Sequence, residues 1–163
     1  MVLHKLDDYY PNYQKEIFDG YDIKNFDVYA ADNDKVGSVQ NMMVDEADGR
    51  FRYFIVDTGF WVFGKKVLLP VGLARINFDD KRIYVNGLTK QQVKDLPEFS
   101  EDLAIDNDYE ERVRSVYRPS IAAATSYPTY NAATYNYQQE PYFYDLNEPN
   151  FTKYEQRLRE VRR

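Results

Sequence analysis

A chain of 163 residues is long enough for one domain with extensions, and for a core that stands without covalent staples. Its net charge of −6 and isoelectric point near 4.9 oppose phosphate backbones, so no nucleic-acid partner is expected. The lack of cysteine excludes disulfides, thiolate metal sites and cysteine nucleophiles, while 16 tyrosines against one tryptophan suit contact surfaces.

Residues 1–24 read as an N-terminal extension. Their opening, MVLHKLDDYYPNYQKE, has no apolar signal core. No run in the chain approaches the roughly 20 apolar residues of a membrane helix. A cytoplasmic protein without a membrane span is the expectation.

Residues 25–99 read as β. Three strand-like runs lie between residues 27 and 59, divided by polar turns at Asp32–Asp34 and Glu46–Arg50. Asp48-Gly49 is a hairpin signal, because glycine supplies the positive φ of a tight turn. KKVLLPVGLARINF and KRIYVNGL supply two or three further strands, with a turn at Phe78–Arg82. Pro70 cannot donate to a ladder and belongs at a strand end or a sheet edge. The apolar positions predict a core of Val28, Val36, Val39, Met42, Val44, Phe54, Val56, Val67, Leu69, Ile76, Ile83 and Val85. A short helix follows. Thr89 and Gln92 have the spacing of a capping box, Leu88 and Val93 that of a hydrophobic staple, and Pro97 ends the element.

Residues 100–148 read as an acidic and then Tyr-rich arm without helical or strand periodicity. Its aromatic content and low charge oppose free disorder, so a docked arm is expected. Residues 149–163 read as a helix. Thr152 and Glu155 suggest a capping box, Tyr154, Leu158 and Val161 an apolar stripe, and Glu155–Arg159 an i, i+4 pair. Many short strands before short helices predict a mainly β fold, a small barrel with a long Tyr-rich C-terminal extension.

Little of the chemistry inventory points to catalysis. Asp57-Thr58-Gly59 has the form of an aspartic-protease loop. Such a site needs two carboxylates sharing a proton, so one copy would have to pair across a dimer. The bulky Phe60-Trp61 after the glycine and the lack of a bracing apolar-apolar-Gly motif favour a turn instead. A dimeric hydrolase using Asp57 is the alternative reading. His4 is the single histidine and reads as a solvated terminal residue, which removes Ser-His catalysis and multi-His metal sites. Asp106–Glu111 lacks the glycine and final glutamate of a calcium loop and reads as a solvated acidic face. Asp32–Gly37 reads as a hairpin turn, and Lys65-Lys66 as edge protection. Lys153, Arg157, Arg159, Arg162 and Arg163 read as a basic helix face pairing with the acidic body. No cofactor or metal is expected. Phe60, Trp61, Val62 and Phe63 read as a barrel plug or a docking patch. With Tyr135, Tyr137, Tyr142 and Tyr144 they are the candidate partner-binding residues.

Gly37-Ser38-Val39, Val44-Asp45-Glu46, Gly49-Arg50, Asp57-Thr58-Gly59 and Val67–Pro70, in that order, resemble the PRC-barrel domain. That module is shared by the photosynthetic reaction-centre H subunit and the ribosome-maturation factor RimM. Leu88–Phe99 resembles the common family ending. The flanks PNYQKEIFDGYDIKNFDVYA, DYEERVRSVYR and EPYFYDLNEPNFTKYEQRL are similar to the PRC-barrel half of cyanobacterial stress-associated proteins. There the last helix leads into a second, charged domain, so this chain is expected to be a short paralogue or a truncated piece. The resemblance implies a six-stranded barrel, a non-catalytic Asp57, and an assembly role linked to stress or photosynthetic complexes. The partner would be another protein or a second copy of the chain.

Overall fold

In the computed structural model, residues 3–59, 65–85, 88–100, 105–120, 131, 133 and 151–161 are described. The strands are β1 (Leu3–Lys5), β2 (Asp27–Tyr29), β3 (Lys35–Asp45), β4 (Phe51–Asp57), β5 (Lys66–Pro70), β6 (Ala74–Asn77) and β7 (Arg82–Val85). The helices are α1 (Leu6–Tyr9), α2 (Tyr13–Glu16), α3 (Lys90–Asp95), α4 (Asn107–Tyr117) and α5 (Thr152–Val161).

The strand order is β5-β4-β3-β2-β7-β6, with β1 on the far end of β3. All neighbours are antiparallel except β2 and β7. The two outermost strands of this path are consecutive in sequence, joined by the 3₁₀ turn Val71–Leu73. Laid flat, six strands would separate those edges by about 24 Å, whereas so short a link spans at most about 14 Å. The sheet therefore curls on itself. The six-stranded barrel that the resemblance implies is not what forms: among the described residues there are seven strands, and the ladders stay open between β5 and β6. Pro70, without an N–H, ends β5 there, and the 3₁₀ turn takes the place of a closing ladder.

Of the predicted core, all but Ile76 are buried, and Ile76 packs half-buried against the rest. The sheet interior is lined by Val28, Val36, Val56, Val67, Leu69 and Val85 and closed by Leu88, Val93 and Leu96 with Tyr117 of α4. α3 sits there because its start is built as the sequence predicts. Thr89 Oγ1 accepts from the Gln92 N–H at 3.3 Å, and Gln92 Oε1 from the Thr89 N–H at 2.8 Å. Leu96, before Pro97, is already extended. The Ala31 N–H donates to Leu88 O, and the Phe99 N–H to Lys66 O, which covers part of the β5 edge.

β4 is buried from Phe51 to Val56, so both of its faces are covered. Residues 3–24 supply part of that cover. Leu6, Tyr13, Ile17, Phe18 and Ile23 all join the core.

Candidate functional site

Asp57 ends β4, and its Oδ1 accepts the Gly59 N–H at 2.9 Å. Gly59 has φ +66°, the left-handed conformation that a glycine adopts freely. Thr58 is buried, and both its N–H and its hydroxyl donate to Lys65 O. The Asp-Thr-Gly therefore locks the end of β4 to the start of β5. An open cleft of about 330 Å³ borders it, lined by Lys35, Gly37, Ser38, Asp57, Thr58 and Gly59. Among these residues Asp57 is the single carboxylate, and Lys35 Nζ is engaged by Asp27 at 2.9 Å. This is the geometry of a turn residue bonding its own backbone.

The other end of the β3–β4 hairpin holds a charged clamp. Arg52 is fully buried. Its Nε and Nη2 donate to Asp45 Oδ2 at 3.2 and 3.0 Å, and Nη2 to Asp48 Oδ2 at 2.7 Å. Asp45 Oδ1 also accepts the Ala47 N–H. The Asp45–Arg52 stretch thus carries its charges as paired structure, the condition under which buried charge is tolerated.

Next to that clamp α5 lies on the sheet. β5 reaches only to Tyr53, where Pro70 stands opposite, so Phe51 lies past the last ladder pair on that side. Its N–H donates instead to Glu155 Oε2 at 2.8 Å. Arg50 Nε is 3.5 Å from the same carboxylate oxygen. Around this anchor Phe151 packs on Phe51 and Phe54, and Tyr154 on Phe18 and Phe78. Arg157 donates to Ile17 O and Asp19, and Arg159 to Asp48 O. A Cβ at Gly49 would stand 3.0 Å from Arg159 Cγ, so the hairpin tip also fits under the helix. Burial raises the Glu155 carboxyl above the ordinary range, opposed by Arg50 and the Phe51 N–H.

α4 uses a parallel device. Asp106 caps it through the Tyr109 N–H, and buried Glu110 accepts from Tyr53 Oη at 2.6 Å. Burial pushes the Tyr109 and Tyr117 phenols up. On the outer sheet face, Arg75, Tyr84, Tyr29 and Arg82 form a cation–aromatic stack across β6, β7 and β2.

All eight candidate partner-binding residues, Phe60, Trp61, Val62, Phe63, Tyr135, Tyr137, Tyr142 and Tyr144, lie outside the described residues, as does most of the arm. Several expectations are corrected. Asp106–Glu111 is not a solvated acidic face, because Tyr109 and Glu110 turn inward from a capped helix. Glu155 turns inward to Phe51 and Arg50 rather than back to a cap, and Val161 is 40% exposed while Phe151 takes its place on the apolar stripe. His4 is half-buried in β1, stacked on Tyr9 and 3.5 Å from Glu46. Lys65 Nζ ties the β5 start to Lys94 O. The i, i+4, i+8 spacing of Tyr109, Val113 and Tyr117 behind Asp106 is a sequence signal for α4. Glu155 carries no such local signal.

Among the described residues no group of three or more His, Cys, Asp or Glu is arranged to hold a metal, and no helix is long and apolar enough to cross a membrane. The fold and site define a small curled-sheet module whose buried polar groups join its helices to its strands. Residues 15–92 match the PRC-barrel domain. An uncharacterized protein of Deinococcus radiodurans is 44% identical over 88 residues, which cover 52% of this chain and 31% of that protein. The chain thus matches less than a third of that relative's length.

Proposed function

We propose that the chain is a non-catalytic assembly module of the cytoplasm, in which the PRC-barrel sheet holds a protein segment. The observation that carries this reading is the anchor at the end of β4. A backbone N–H beyond the last ladder pair, an arginine and a bed of phenylalanines receive a helix that lies outside the matched domain. Helix-in-groove docking is a recurrent mode of protein recognition. The turn geometry of Asp57 supports the same reading over a hydrolase, because its carboxylate holds Gly59. The resemblance of the flanks to stress-associated proteins supports a stress-linked setting.

The test is purification under native conditions with a stoichiometry measurement. A partner near one-to-one, or a second copy of the chain, is the expected result. A chain that elutes alone as a monomer contradicts the proposal.

A further inference from the structure

The slot under α5 has a defined ligand chemistry. It takes a short amphipathic helix with an aromatic residue, a carboxylate four residues later and a leucine three residues after that, here Phe151, Glu155 and Leu158. The aromatic packs on Phe51 and Phe54, and the carboxylate meets the Phe51 N–H and Arg50. We propose that this slot is an exchange interface, filled in an assembled pair by α5 of a second copy, with each copy's helix docked on the other. The inference rests on the assembly reading above and names its partner.

Three features carry it. First, a second copy brings a helix of the required pattern, including the basic side chains that meet Ile17 O, Asp19 and Asp48 O. Second, residues 121–150 separate α4 and its 3₁₀ extension from Phe151, the contact that begins the docked helix. Fully extended, a stretch of that length reaches about 100 Å, so a neighbouring copy lies within range. A connection of about 30 residues gives the linked helix an effective concentration of about millimolar order at its own slot. Third, α5 has ten residues, and a helix below about 12–15 residues is marginal alone. Released from one slot, it regains its structure by entering another. Reciprocal exchange closes a two-fold pair and leaves no open end, as domain swapping does.

The cysteine-free chain allows a direct test. Asp19 and Arg157 are in contact across the α5 interface at 2.9 Å, and both side chains are partly exposed. Full-length Asp19→Cys, carrying a mass tag, is mixed with full-length Arg157→Cys at concentrations from about 10 µM up to about 1 mM, a range that rises to the effective concentration set by the connection's length. A short bis-maleimide then links neighbouring thiols. The expected product is a mixed pair in which the introduced thiol of one variant is joined to that of the other. Its yield should rise at least tenfold over that range and be lost when the Arg157→Cys chain also carries Leu158→Asp. Circular dichroism of each variant checks that it is folded. The absence of that mixed pair from folded variants overturns the exchange. A mixed pair that survives Leu158→Asp also overturns it, since the link would then arise away from the slot. A monomeric chain that co-purifies with a different protein seated on the slot would sink the exchange and leave the assembly role standing.

Discussion

The Glu155 carboxylate accepts the Phe51 N–H at 2.8 Å, so the last helix completes a strand that precedes it by 104 residues. The contact satisfies a buried backbone donor that β5 is too short to reach. Glu155→Ala removes the acceptor and leaves that donor buried. The expected loss is about 1–3 kcal/mol, the usual cost of such a group. A denaturant titration measures it. Glu155→Gln keeps an acceptor oxygen and should lose less.

The same residue sets a pH dependence. Its folded-state carboxyl is raised by burial, so the folded chain holds this proton more tightly than the unfolded chain does. Stability from this group is fully present below the ordinary glutamate value of about 4.3. It falls as pH rises from there through the raised folded value. The difference in unfolding free energy between wild type and Glu155→Gln should therefore shift against the wild type over that window. A difference that is flat across it would show that the carboxyl is not raised.

Arg52 and Asp45 form a second test pair. Arg52→Met leaves the buried Asp45 carboxylate without its guanidinium. Removing one member of a buried pair costs about 3–5 kcal/mol. Asp48→Asn touches the same arginine from a partly exposed position and should cost under about 1 kcal/mol. Equal midpoints for the two variants in chemical denaturation would refute the clamp.

At Gly37, β3 passes so close to β4 that a Cβ would lie 2.3 Å from Asp57 O. Gly37→Ala must push the strands apart, at a cost of about 1–3 kcal/mol. Thermal melting measures it, and an unchanged melting temperature would contradict the packing.

Asp57→Asn keeps an oxygen able to accept the Gly59 N–H. The expected outcome is an intact fold with no peptidase activity lost. Acid-pH proteolysis present in wild type and absent from the variant would restore the hydrolase reading.

The sequence is most readable where its partners are local. Thr89 and Gln92 are three residues apart, and their capping box forms as the spacing predicts. The Asp48-Gly49 turn forms with Gly49 at φ +68° for the same reason. Glu110 and Glu155 fail that kind of reading because their partners are Tyr53 and the Phe51 backbone, 57 and 104 residues away. An acidic residue on a helix looks solvated until the strand beneath it is in place. Strand number was legible only in part. β1 is a three-residue strand that pairs with the far end of β3, and nothing in its own pattern announces that edge. β4 shows no alternation to read, because both of its faces are covered. Arg52 occupies a buried position because Asp45 and Asp48 neutralise it.

Amide hydrogen exchange at Phe51 tests most directly whether the sheet end is a helix-binding site. In the full chain the Phe51 amide should be strongly protected although it lies past the end of β5. In Leu158→Asp that protection should fall selectively, while Ile55, inside the β3–β4–β5 ladders, keeps its own. A Phe51 amide that exchanges in the wild-type chain as fast as a solvent-exposed one would contradict it.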